Sequence, residues 1–254
     1  MRSKIIILIL VSLLIVGCQG KDETKYSEEL LQIFYSEEKV TLYYDGMAEY
    51  GHIITRSDVK KEGSQGIVTY NGKMNDGAGD EFGERTFTVQ YTVEEDKVIE
   101  TVRVNDYFNR KTKSLNSIIP NQIVLKLPLE VGNTWSYEVI LEGETTPRTV
   151  TTTIYKVELI PDYPEKKVYH TETVIEGIEG YPGKKYFERR AFAPGFGMLY
   201  FENSISAYID ESGKEVEVPF TFGYALYGWE EGQGGEIKSI YDELPLYFKQ
   251  RNIY

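Results

Sequence analysis

The chain has 254 residues with 28 basic and 40 acidic side chains, a formal charge of −12. That balance argues against a nucleic-acid partner, which a basic stripe would recognise, and reads as solubility and repulsion from anionic lipid surfaces. A single cysteine excludes an internal disulfide, while 41% hydrophobic and 13% aromatic content argues for a packed core.

Arg2 and Lys4 precede Ile5 to Val16, which is apolar except for Ser12, and Gly17 and Cys18 follow. Positive, then apolar, then small is the order of a secretory signal. At about 1.5 Å per residue the apolar run covers roughly 18 Å. A spanning helix must cross roughly 30 Å of hydrocarbon. Beyond the cysteine the chain turns polar at once, with Gln19-Gly20-Lys21-Asp22-Glu23.

Ile15-Val16-Gly17-Cys18 resembles the lipobox of bacterial lipoproteins. The resemblance implies a diacylglycerol on the Cys18 thiol and cleavage just before it. Two acyl chains anchor stably, at about 0.8 kcal/mol per buried CH₂, where one chain is marginal. The expectation is a signal peptide over 1–17 and a lipidated cysteine with a flexible stalk over 18–29. Membrane lipid is then a partner through Cys18, and the location is the extracytoplasmic face of the cell membrane.

Roughly 225 residues remain, enough for one large β domain or two small ones. Twenty-one tyrosines against four methionines favour strands. Glu28 to Phe34 reads as a short helical turn or as a lead into a first strand. From Lys39 onward a period of two dominates. Phe87, Val89, Tyr91 and Val93 alternate with Thr88, Gln90 and Thr92, a half-buried strand. Glu94 to Lys97 interrupts it and Val98 to Val104 returns, which predicts a hairpin. Further strands are expected over 40–44, 49–55, 66–71, 123–127, 134–141, 149–159, 167–175, 185–193 and 198–203. Asn71-Gly72, Gly132-Asn133, Pro182-Gly183, Pro194-Gly195 and Ser212-Gly213 supply turns. Val216, Val218, Phe220, Phe222, Tyr224 and Leu226 share one parity, and Pro219 among them predicts an edge strand or a bulge. One short helix is expected before Pro245.

The segment Phe34–Tyr44 resembles Leu127–Tyr137: an apolar entry, a polar turn and an aromatic strand. The fold class expected is therefore all-β, an antiparallel sandwich or strongly curved sheet, with two β halves over 30–117 and 118–229 that are either tandem repeats or parts of one continuous sheet. A tail over 230–254 follows. Leu127-Pro128-Leu129-Glu130-Val131-Gly132-Asn133-Thr134-Trp135 resembles the PLKVGTTW-like segment of a group of uncharacterised Gram-positive lipoproteins. Ala193-Pro194-Gly195-Phe196-Gly197-Met198-Leu199 resembles their APGVGLV-like segment, and Tyr44-Asp45-Gly46-Met47-Ala48-Glu49-Tyr50 a third. The similarity runs from about 33 to 203, and its segments are turns and strand starts. It implies an address and a fold, with no activity attached.

Candidate sites are weighed against plainer explanations. His52 and His170 are the only histidines and lack the converging ligands of a zinc site. The Gly-x-Ser-x-Gly elbow is absent. No catalytic motif stands out, so no enzymatic activity and no cofactor are expected. Asn75-Asp76-Gly77-Ala78-Gly79-Asp80-Glu81 offers oxygens to a calcium ion through Asp76, Asp80 and Glu81, although EF-hand spacing is not met. A mobile acidic loop is the plainer reading. Phe222, Tyr224, Tyr227 and Trp229 would suit a groove for sugar rings or an apolar ligand, with core packing as the alternative. Lys60-Lys61, Arg110-Lys111 and Arg189-Arg190 are short basic pairs, expected on solvated faces.

The leading expectation is a lipid-anchored binding or envelope-structural module, whose partners would be an envelope protein, a glycan or a small apolar ligand. A carrier of an apolar or lipidic molecule would instead need an enclosed cavity of at least about 300 Å³. A secreted hydrolase would need a cleft with a converging acid and base.

Overall fold

The computed structural model describes residues 26–46, 50–76, 86–104, 117–218, 220–232 and 234–246, without the side chains of 75, 76 and 104. The signal peptide over 1–17, Cys18, stalk residues 19–25, Asp80, Glu81, Arg110, Lys111 and Pro219 lie outside the described residues. The end of the expected stalk is instead ordered structure, with Tyr26 buried, Ser27 a helix cap and Glu28 and Glu29 helical.

Period-two sequence becomes strand throughout. In β4 (Thr86–Val93) alternate residues Phe87, Val89, Tyr91 and Val93 are buried and the others half-exposed. The turn at Glu94, whose N–H donates to Lys97 O at 2.9 Å, delivers the chain to β5 (Lys97–Val104). The other strands of this meander are β1 (Lys39–Gly46), β2 (Tyr50–Glu62), β3 (Gln65–Asp76) and, from beyond residue 117, β6 (Gln122–Lys126). The second half supplies β7 (Thr134–Val139), β8 (Arg148–Ile160), β9 (Tyr163–Glu176), β10 (Lys185–Ala193) and β11 (Gly197–Ser204). A small hairpin of β12 (Tyr208–Ile209) and β13 (Glu215–Val216) precedes the long β14 (Thr221–Glu231) and the short β15 (Ile237–Ser239).

All but β12 and β13 belong to one antiparallel, nearly closed sheet in the order β6-β5-β4-β3-β2-β1-β14-β11-β10-β9-β8-β7, with β15 beside β14. Each half is a meander, and β14 joins them by pairing with β1 on one side and β11 on the other. The outermost strands, β6 and β7, are neighbours in sequence, and the curl of the sheet brings them together. Among the described residues no backbone ladder joins them. Side chains bridge the seam instead: Tyr137 Oη accepts from Ile123 N–H at 3.0 Å, and Asn133 Nδ2 donates to Lys126 O at 2.8 Å.

Helix α1 (Glu28–Phe34) closes one end. Ser27 caps it, its Oγ accepting from Leu30 N–H at 3.2 Å, and Glu28 and Glu29 favour the first-turn dipole. Leu30, Leu31, Ile33 and Phe34 are buried, worth about 1.5–3 kcal/mol each. Phe34 stacks on Tyr91 at 4.2 Å and meets Phe192 edge-on at 5.6 Å. Ser27 N–H donates to Glu94 O, and Gly195 N–H to Gln32 O, so α1 sits at the β4–β5 and β10–β11 turns. This is the proximal end. It also carries α2 (Ile240–Glu243), whose cap Ser239 accepts from Tyr241 N–H at 3.2 Å. Gly46, Asp76, Val104, Val139, Glu176 and Ser204 end their strands at the opposite, distal end. Among the described residues no helix is long and apolar enough to cross a membrane.

Two local expectations are corrected. Asn71-Gly72 makes no turn: β3 runs through it, Gly72 pairing with Ile54 and Phe87. A Cβ at Gly72 would overlap the Phe87 ring, so the glycine serves a close aromatic approach. The strand expected from Val216 to Leu226 is broken. Val216 pairs with Tyr208 in the separate hairpin, and β14 begins at Thr221. β14 is an interior strand, and it bulges at Tyr227, where Tyr44 faces Leu226 but Tyr43 faces Gly228.

Candidate functional site

Strand alternation puts Tyr227 on the face opposite Phe222 and Tyr224, and the bulge at Tyr227 reverses the parity beyond it, which turns Trp229 inward. Phe222 and Tyr224 lie inside the sheet, 6.2 Å apart. Tyr227 is on the outer face, 39% exposed and 5.9 Å from Tyr43. Trp229 is turned inward at the proximal end, where the Lys39 ammonium sits 4.4 Å from its ring and 4.5 Å from Phe196. The four do not share a groove. Burial pulls the Lys39 pKa down, against the opposing pull of Glu243 at 3.8 Å. Asp76 ends β3 opposite Tyr50, apart from any described metal cluster: among the described residues no three His, Cys, Asp or Glu side chains group to hold an ion.

Phe222 and Tyr224 belong to an interior box with Tyr44, Tyr50, His52 and Phe201. The His52 ring stacks on Tyr44 at 4.5 Å and meets Tyr224 edge-on at 4.8 Å, while its Nδ1 shares a 3.0 Å hydrogen bond with Tyr50 Oη. Burial lowers the His52 pKa to about 3, so the ring is neutral. Beside the box lies a buried ionic network. Arg190 donates from Nη1 to Glu100 at 2.8 Å and from Nη2 to Gln122 at 2.7 Å and Glu188 at 3.1 Å. Glu188 also accepts from Gln122 Nε2 at 2.8 Å and Tyr186 Oη at 2.5 Å. Burial pulls against the Arg190 charge, and Glu100 and Glu188 more than offset it, holding its pKa well above the ordinary value. The network ties β5 and β6 to β10 across the interior.

Arg190 corrects the expectation that both residues of Arg189-Arg190 are solvated. Its side chain is 3% exposed, and only Arg189 faces outward. The available signal was parity: Tyr186, Glu188, Arg190 and Phe192 alternate on one face of β10, and two of them are plainly apolar or aromatic core formers. The cavity among these groups measures about 30 Å³. At roughly 10–15 Å³ of such volume per water it holds about two or three waters. An apolar cargo has no room there. The described interior is a structural core.

The outer face of β9, β10 and β11 is polar and aromatic. Arg189 donates to Glu172 at 2.8 Å and Glu202 at 3.3 Å, and Tyr200 Oη donates to Glu202 at 2.5 Å. A shallow open groove of about 300 Å³ lies alongside, lined by Glu172, Pro182, Lys185, Phe187, Arg189 and Ser204. His170 Nε2 lies 2.9 Å from Glu158. Burial, helped by Lys156, lowers the His170 pKa to about 4. Near neutrality the contact is therefore a hydrogen bond to a neutral ring, although the distance alone would suit an ion pair.

These features define a nearly closed antiparallel β-sheet protein whose described interior is packed with aromatic and ionic side chains. No protein-family model matches the chain, and no curated protein matches it. Two solved structures show a distant likeness. One is a protein from Parabacteroides distasonis described as a lipoprotein: 8% identity, TM-score 0.38, covering 74% of this chain and 94% of that one. The other, from Bacteroides fragilis, is described as exported with a YmcC-like fold: 9% identity, TM-score 0.35 and the same coverage. At these scores the likeness transfers no function to this chain.

Proposed function

We propose that the chain is a lipoprotein, anchored through Cys18 on the extracytoplasmic face of the cell membrane, that acts as a binding or envelope-structural module rather than as an enzyme. The observation that carries this reading is the order Arg2-Lys4, Ile5–Val16 and Ile15-Val16-Gly17-Cys18. The fold agrees with a tether at that position. Tyr26 and Ser27 enter at the proximal end, and residues 19–26 reach at most about 29 Å from the lipid when fully extended. The small size of the described interior cavity favours a partner met on the outside, a protein or glycan, over a swallowed ligand.

The test is mass spectrometry of the N-terminal peptide from protein made in its native host, with and without globomycin, which blocks lipoprotein signal cleavage. A diacylglyceryl-modified Cys18 at the new terminus, and a heavier precursor under the drug, are expected. An unmodified thiol, or a band that the drug leaves unchanged, would refute the anchor.

A further inference from the structure

Between β11 and β14 the chain leaves the main sheet. β12 and β13 form a separate two-stranded hairpin at the distal end. Asp210 builds its turn, accepting at Oδ1 from Ser212 N–H at 2.8 Å, Lys214 N–H at 2.9 Å and the Ser212 hydroxyl at 2.6 Å. Gly213, with φ +81°, supplies the left-handed residue. A two-stranded hairpin alone is marginally stable in water and needs a third strand or a packed face. Here the apolar side chains are left outside: Tyr208 is 56% exposed, Ile209 65% and Phe220, just beyond, 59%. Ala207 N–H donates to Gly180 O at 2.6 Å and so ties down the outer side of β12. Among the described residues β13 has no second strand beside it, so its outer edge can pair.

The charge around these side chains selects the partner. Glu211, Glu215 and Glu217 are exposed, and Lys214 is the one basic residue between Tyr208 and Glu217. Unpaired strand edges take an extended chain by main-chain bonds, with alternate side chains giving specificity. Carboxylates beside apolar side chains favour a chain in which lysine or arginine alternates with apolar residues. The same carboxylates repel an anionic lipid surface, and the hairpin lies at the end away from the tether.

We propose that the β12–β13 hairpin, with Phe220, is a docking surface for a basic, extended segment of another polypeptide. This rests on the reading of the chain as a binding module and gives that module its site. In the full-length protein in detergent micelles, the probe is a fluorescent dodecapeptide of alternating lysine and valine, with a glutamate–valine peptide as its counterpart. Anisotropy should show saturable binding of the first and none of the second. Tyr208→Ser with Ile209→Ser should weaken binding by about tenfold or more. Glu215→Lys with Glu217→Lys should reverse the preference between peptides. A charge-matched control at the proximal end, Glu62→Lys with Glu130→Lys, should leave affinity unchanged. Near-UV circular dichroism verifies that each variant keeps the fold. No binding up to about 1 mM, equal binding of both peptides, or equal loss in the control overturns the proposal. Cys18 modification is read separately by mass, so failure of the anchor and failure of the docking surface are distinguishable.

Discussion

The indole N–H of Trp135 donates to the carbonyl oxygen of Ile123 at 3.1 Å, across the seam where the two ends of the sheet order meet. A side chain thus does at the seam what a backbone ladder does elsewhere. Trp135→Phe keeps most of the buried ring and removes the donor, leaving a carbonyl without its partner. The expected loss is about 1–3 kcal/mol by urea denaturation, with faster amide exchange at Ile123 and its neighbours in β6. Unchanged exchange in β6 would show that the indole bond does not hold the seam.

The Arg190 network should be costly to break at one member. Arg190→Leu leaves Glu100 and Glu188 buried without their cation, and the expected cost is about 3–5 kcal/mol. Removing both charges of one contact, as in Arg190→Leu with Glu100→Leu, should cost less than the sum of the single changes. An additive double-mutant cycle would mean that the two groups do not interact.

Stability should fall with acid through the histidines. Burial holds His52 neutral down to about pH 3 and His170 down to about pH 4, below the ordinary 6.5. From pH 6.5 downward the unfolded chain takes up protons that the folded ring refuses, so folding weakens until the folded pKa is reached. Each tenfold change in proton affinity is about 1.4 kcal/mol. His52→Phe should flatten the decline in denaturation midpoint between pH 7 and pH 4. A slope equal to that of the parent protein would place His52 in contact with solvent.

Gly72→Ala tests the close approach of Phe87. The added methyl overlaps the ring, and overpacking of this kind costs about 1–3 kcal/mol. Phe87→Leu in the same chain should recover part of the loss. A neutral Gly72→Ala would show that the ring swings aside freely.

Much of the fold is local and was legible. Phe87, Val89, Tyr91 and Val93 declare a strand because the side-chain period of two is a property of the extended backbone itself. Ser27 followed by the apolar face of Leu30, Leu31 and Phe34 carries the cap and burial of α1 in a single turn. The aromatic site was not legible in the same way. Parity alone separates Tyr227 from Phe222 and Tyr224, but the inward turn of Trp229 follows from a bulge that is visible only in the register with β1.

The sequence by itself determined the lipobox resemblance, the all-β class and the positions of most strands, since each depends on a few adjacent side chains. Tertiary structure alone decided that β14 joins the halves, that β6 meets β7, and which groups surround Arg190. The reason is distance along the chain. Parity with Tyr186 and Phe192 aims Arg190 inward, but Glu100 and Gln122, which make its charge tolerable there, lie 90 and 68 positions from it.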